Sequence, residues 1–251
     1  MQFLEDGQHN VEGWWLDIDT VNEPHWPRLE SLLEQAERDR AQRFHFEHDK
    51  KSYIAAHAIV RSLLSARLDA SPTEWKFSIS DLGKPEVILP KGVPRVRINL
   101  AHTRGMVVAA LTTEHDIGVD VEWLGRKSSF LDLSKSVFTL EEQSLLAAAP
   151  EGEKHELFLT LWTLKEAYIK AIGKGLSLPL DSFHYSLEPL AIQFKQTRED
   201  IALDDPAQWS LHRFRPGPDH IAAIAVHHPQ PDGLSVSFEE APLQAILNQS
   251  P

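Results

Sequence analysis

Two short segments carry the residue types that chemistry needs. In Ile117-Gly118-Val119-Asp120-Val121-Glu122 the apolar residues alternate strictly with the others, the signature of a half-buried strand. Ile117, Val119 and Val121 then face a core, while Gly118, Asp120 and Glu122 share the opposite face. The two carboxylates stand ~6.6 Å apart at their backbones, from a rise of ~3.3 Å per residue. Both can reach one hard cation and leave coordination places for water and phosphate. A lone Asp-x-Glu is more often a solvated strand face. The second segment changes that weighting.

From Leu157 to Ile172 the chain reads as a helix apolar around most of its circumference, with Phe158, Leu161, Trp162, Leu164, Tyr168 and Ile169. Its only charges in that span are Lys165, Glu166 and Lys170. Glu166 and Lys170 are one turn apart and project from one face. On an exposed helix they would be a surface pair worth about 0.2–0.5 kcal/mol. On a mostly buried helix, ionised groups are costly unless paired, solvated in a cleft or bound to a metal. Asp120, Glu122 and Glu166 together make an acidic cluster suited to Mg²⁺, which keeps several waters and takes phosphate oxygens as further ligands. Lys170, Lys84 and His102 supply positive or hydrogen-bonding partners for those phosphates. The chemistry is that of a phosphoryl-type transfer, dominated by positioning and charge neutralisation.

Elements in two similar halves must position these residues. In the first half, a helix over about 47–68 leads to a strand at Trp75–Ile79 and the turn Gly83-Lys84-Pro85. A hairpin follows, pairing Val96–Ala101 with Met106–Leu111. The second half repeats the order, with a helix over about 154–172 that stops at Gly173 and a strand at Ser182–Leu187. A hairpin of Trp209–Phe214 with Ile221–Val226 comes next. A last strand, Leu234–Phe238, takes the place that Ile117–Glu122 holds in the first half. The fold expected is α+β, with two similar subdomains, each a helix on a small, mainly antiparallel sheet, and the site in the cleft between them. The boundary is expected near residue 115, giving lobes 1–114 and 115–251.

Composition fits an ordinary globular protein of 251 residues, 42% hydrophobic and 25% charged. The start, Met1-Gln2-Phe3-Leu4-Glu5-Asp6, has no basic n-region or apolar h-region, so no signal peptide is expected. No apolar run approaches the ~18 residues of a membrane span. Cysteine is absent, which excludes disulfides and thiol catalysis and is compatible with the cytoplasm. A net charge of −12 argues against a general nucleic-acid binder. Polyanion binding would need local cations, as at Arg38, Arg40, Arg43, Lys50, Lys51 and Arg61, or at Lys165, Lys170 and Lys174. Gly173-Lys174-Gly175 lacks phosphate-loop spacing and reads as a helix C-cap. His227-His228 has no spaced carboxylate or cysteine to complete a metal site.

Gly83-Lys84-Pro85, Asn99-Leu100-Ala101-His102, Gly118-Val119-Asp120-Val121-Glu122 and Trp162-Thr163-Leu164-Lys165-Glu166-Ala167-Tyr168-Ile169-Lys170, in this order, resemble the 4′-phosphopantetheinyl transferase superfamily. The similarity is to its long, two-lobed type that modifies carrier proteins. It runs on through Gly173-Lys174-Gly175-Leu176-Ser177-Leu178 and spans about residues 38–183. The resemblance implies that a serine of an acyl, peptidyl or aryl carrier protein attacks the β-phosphate of coenzyme A and releases 3′,5′-ADP. It implies Asp120, Glu122 and Glu166 as Mg²⁺ ligands, with Glu166 also the general base. Lys170 then contacts the phosphates, and His102 hydrogen-bonds one of them. Gly83, Lys84 and Arg40 hold the adenosine end with its 3′-phosphate. A monomer is expected, since one chain supplies both lobes.

The chain departs from the pattern in two places. Ala101 stands where many relatives have Ser or Thr. Glu37 stands one turn before Arg40, where some have lysine, leaving Arg38 or Arg43 to compensate. The apolar stretch Phe130–Phe138 offers either a carrier-facing surface or core contacts. A Mg²⁺-dependent phosphohydrolase and a non-catalytic scaffold for a nucleotide or carrier protein remain the alternatives.

Overall fold

The computed structural model describes residues 10–68, 70–80, 83–89, 95–126, 130–175, 178–195 and 204–250. In chain order they form β1 (Asn10–Asp17), α1 (Trp26–Ser31), α2 (Gln35–Ala41), α3 (Glu47–Arg67), β2 (Lys76–Ile79), β3 (Pro85–Ile88), β4 (Val96–Thr103), β5 (Met106–Thr113) and β6 (Ile117–Trp123). Then come α4 (Phe130–Val137), α5 (Leu140–Ala148), α6 (Lys154–Ile172), β7 (Phe183–Leu187), β8 (Leu190–Phe194), β9 (Trp209–Phe214), β10 (His220–His227), β11 (Ser235–Glu240) and α7 (Leu243–Asn248).

Strand periodicity builds the architecture. In β5, Val107, Ala109 and Leu111 point to one side and join α3 in the first core, while Met106, Val108 and Ala110 point to the other. In β10, Ala222, Ile224 and Val226 meet that second set, and Ala223 and Ala225 join α6 in a third core. The result is a two-lobed α+β protein layered as α3, sheet, sheet and α6. Its middle core is closed by Ile117, Val119 and Val121 of β6.

The sheets exchange strands between the halves. The first sheet runs β11-β1-β5-β4 and the second runs β6-β10-β9. β6, from the end of the first half, pairs antiparallel with β10 of the second. β11, from the end of the second half, pairs parallel with β1 of the first. Both expected hairpins form, β4 with β5 and β9 with β10. The helices over 47–67 and 154–172 lie where periodicity puts them, and Gly173 ends the second in the left-handed region at φ 67°. Strand β1 was not expected from sequence. Neither were the partner strands β3 and β8, each of which completes a two-stranded ribbon.

The segment Phe130–Phe138 folds as α4 and its exit. Val137 and Phe138 are buried there, Phe138 against Phe158 with ring centroids 5.1 Å apart, so these two are core residues. The side chains of Phe130 and Leu131 lie outside the described residues, as do Leu176 and Ser177 of the motif following Gly173. Among the described residues no helix is long and apolar enough to cross a membrane.

Candidate active site at the lobe seam

The polar face of β6 is not open to solvent. It lies under α6, and Gly118 makes the close approach possible. A Cβ there would collide with the Ala167 carbonyl oxygen and the Ala171 amide nitrogen, and would sit 3.0 Å from the Lys170 carbonyl carbon. Two residues on, Asp120 is 6% exposed, and Glu122 is 8% exposed. The next helix turn reaches back to them. Lys170 Nζ donates to Asp120 Oδ1 at 2.6 Å. Glu122 Oε1 accepts from Arg126 Nη1 at 2.8 Å, and the Trp162 side chain also hydrogen-bonds this carboxylate.

These carboxylates disfavour one another. Burial pushes the Asp120 carboxyl above its ordinary value, against the pull of Lys170. Glu122 is raised by burial and then by the Asp120 charge. Glu166 is raised by burial, by Asp120 and, less, by Glu122. Three acidic groups thus share a field that Lys170 and Arg126 only partly neutralise. Asp120 Oδ2 is buried and has no hydrogen-bond partner among the described residues. Among those residues no three His, Asp or Glu side chains are drawn around one metal position. The donor chemistry nonetheless fits Mg²⁺: carboxylate oxygens, one of them buried and unpartnered, with negative charge in excess.

Beside this cluster is a cavity of about 440 Å³. Its walls include Arg40 from α2, Tyr53 and His57 from α3, Gly83 and Lys84 from the turn before β3, and His102 from β4. The facing wall is Glu166 and Lys170 from α6. Six of the residues singled out in the sequence therefore line one space: Arg40, Gly83, Lys84, His102, Glu166 and Lys170. Asp120 and Glu122 are set behind it, on the strand beneath the helix. His102 is held below its ordinary value, by shielding of its ring and then by the Lys170 charge.

Lys84, for which the resemblance implies a contact at the adenosine end, has its ammonium on backbone carbonyls in this structure. Its Nζ donates to the carbonyls of Lys170 at 2.7 Å, Ala171 at 2.9 Å and Ile117 at 3.0 Å. Ala101 is buried, and the seam there is tied through the Asn99 side chain: its Oδ1 accepts from Val119 N–H at 2.8 Å, linking β4 to β6.

Glu37, the other departure, has an evident structural role. Its two oxygens meet His57 Nδ1 and Arg61 Nε, each at 2.8 Å, fastening α2 to α3. Neither Arg38 nor Arg43 lines the cavity. Arg38 turns back to the Leu33 carbonyl and to Gln35. The residue that lines the cavity along with Arg40 is His57, four positions after Tyr53 and tilted against its ring at 4.1 Å between centroids. The sequence reading missed it, although the i,i+4 spacing with Tyr53 marks one helix face.

Several cations of the two basic stretches are taken up inside the fold. Arg61 is fully buried, and Lys51 pairs with Glu23 over the Trp26 ring. Lys165 is 0% exposed, donating to the Leu180 and Phe183 carbonyls at 2.7 and 2.6 Å and pairing with Glu142 at 2.9 Å. It braces the third core, on α6.

Comparison with known proteins assigns family. A family model described as the 4′-phosphopantetheinyl transferase superfamily matches residues 116–225. Another, described as 4′-phosphopantetheinyl transferase, N-terminal, matches residues 20–114. The chain is 31% identical over 216 residues to the 4′-phosphopantetheinyl transferase HetI of Nostoc sp., covering 86% of this chain and 87% of that protein. It is 30% identical over 215 residues to the 4′-phosphopantetheinyl transferase Sfp of Bacillus subtilis, covering 85% and 91%. The L-aminoadipate-semialdehyde dehydrogenase-phosphopantetheinyl transferase of Rattus norvegicus is 26% identical over 232 residues, covering 86% and 74%.

Proposed function

This chain belongs to the 4′-phosphopantetheinyl transferase superfamily, and we propose that it performs the transfer at the seam between its lobes, with Mg²⁺ held by Asp120, Glu122 and Glu166. It is a 4′-phosphopantetheinyl transferase, moving the phosphopantetheine arm of coenzyme A to a carrier protein. The observation that best supports the site is the cavity in which Arg40, His102, Glu166 and Lys170, from both lobes, face one another.

In this reading Arg40 and the backbone of Gly83 and Lys84 hold the adenosine end, and His102 donates to a phosphate oxygen. A serine hydroxyl of an acyl, peptidyl or aryl carrier protein attacks the β-phosphorus. Its proton passes to Glu166, directly or through a water. The bond from the β-phosphorus to the departing 3′,5′-ADP breaks, and Lys170 balances the charge that develops on the leaving oxygen. Mg²⁺ supplies Lewis-acid neutralisation of the phosphate oxygens when bound. Arg126 and Trp162 orient Glu122 for this role. Both sides of the site come from one chain, so we take the working form to be a monomer, and its compartment to be the cytoplasm.

The test is to incubate the protein with coenzyme A, Mg²⁺ and an apo carrier protein, then weigh the carrier. A gain of one phosphopantetheine arm, with release of 3′,5′-ADP, is expected. Coenzyme A hydrolysis without carrier modification would instead indicate a phosphohydrolase. No reaction across acyl, peptidyl and aryl carriers would indicate a binding scaffold.

A further inference from the structure

We infer that Lys84 is a positioning residue: its ammonium fastens the Gly83-Lys84-Pro85 turn of the first lobe to the end of α6, setting Glu166 and Lys170 against the cavity, instead of binding a substrate phosphate. The inference rests on the proposed reading of this site. An ammonium has three N–H donors and no acceptor. Here all three are used, on the carbonyls of Lys170, Ala171 and Ile117. Two of those carbonyls belong to the last turn of α6, where helix geometry leaves C=O groups without an intrahelical partner. A cation is favoured at that end by the helix dipole as well. The third acceptor opens β6, the strand that carries Asp120 and Glu122. One side chain thus joins the first lobe to both elements that carry the carboxylates.

The surroundings fit a fixed strut. The turn is closed by Gly83 N–H to Ser80 O at 2.8 Å and Ser80 N–H to Lys84 O at 3.0 Å, and Lys84 N–H donates to Ser80 Oγ at 3.0 Å. Gly83 provides the φ of +84° that this turn needs. The Lys84 stem crosses Gly173, where an added Cβ would lie 3.7 Å from Cδ. Burial lowers the ammonium to about 8, with the Arg97 charge acting the same way and those of Asp116 and Glu86 opposing it. Turning this group toward a substrate phosphate would strand three carbonyls beneath the turn.

The experiment compares wild type, Lys84→Met and Lys84→Arg on coenzyme A and on 3′-dephospho-coenzyme A, at a temperature where circular dichroism shows all three folded. Lys84→Met is expected to lower kcat about ten- to a hundredfold, the scale of a small misplacement of reacting groups. The loss should be equal on both substrates, with KM nearly unchanged. Lys84→Arg, which keeps donors for the carbonyls, should recover a substantial part of kcat. A loss seen only as a raised KM for coenzyme A, and absent with the dephospho substrate, would make Lys84 a phosphate ligand and overturn the inference. So would wild-type kcat in Lys84→Met. If the wild type itself modifies no carrier, the reading of the site fails instead, and the two failures are distinguishable.

Discussion

Asp120 and Lys170 meet 2.6 Å apart, a carboxylate from the polar face of β6 against an ammonium from the last turn of α6. Only one oxygen of Asp120 is satisfied this way. The other is buried and unpartnered among the described residues. The pair therefore leaves acceptor capacity on a carboxylate whose charge also raises Glu122 and Glu166.

Mg²⁺ should raise the unfolding free energy of the wild-type protein, read from urea titrations, by about 2.7 kcal/mol at a hundredfold excess over its dissociation constant. Asp120→Asn should remove that increment. Without metal, the same variant should unfold within about 1 kcal/mol of wild type, because it removes a buried charge while keeping the shape. An undiminished Mg²⁺ increment in Asp120→Asn would move the metal elsewhere.

Glu166→Gln should fold normally and lose at least about 10²-fold in transfer rate, since a proton acceptor and a metal-binding carboxylate vanish together. Mass spectrometry of the carrier gives the rate, and circular dichroism checks the fold. Near-normal turnover would remove Glu166 from the chemistry.

Acid should weaken the join of α2 to α3. Burial alone would raise the Glu37 carboxyl, but hydrogen bonds from His57 and then Arg61, with their charges, hold it down at about 2. A depressed folded value stabilises above the unfolded value of 4.5 and is lost as pH falls from there through about 2. Urea midpoints between pH 6 and pH 3 should fall less steeply in Glu37→Gln than in wild type. Parallel slopes would show that other carboxylates govern acid unfolding.

Gly118→Ala should destabilise by about 1–3 kcal/mol or more, because its methyl group strikes helix backbone, which has no rotamer to escape into. It should also reduce kcat in the molecules that remain folded, as α6 and its Glu166 are pushed off β6. A variant with unchanged midpoint and rate would show that helix and strand adjust freely.

The sequence carried the local part of this protein clearly. Strict alternation in Ile117–Glu122, the apolar girth of Leu157–Ile172 and Gly173 after it fix which faces seek a core and where the helix stops. Two hairpins and the order of motifs were legible for the same reason, since each depends on neighbours within one turn or one strand. Strand β1 was not legible as part of the fold because its partners, β5 and β11, lie about 100 and 225 residues away, and a place between two such distant strands is not written in its own composition.

What tertiary structure alone decided is where the polar groups go. Asp120 and Glu122 share a face by periodicity, but only the packing of α6 over Gly118 turns that face from a solvated surface into a buried acidic wall. Lys165 and Lys84 read as available cations. One is sealed in a core by Glu142 and two carbonyls, and the other is spent on the end of α6. The exchange of β6 and β11 between sheets belongs to the same class. Periodicity records which side of a segment is apolar, whereas the partner of a charge or a strand edge is chosen by long-range packing that brings distant backbone groups into reach.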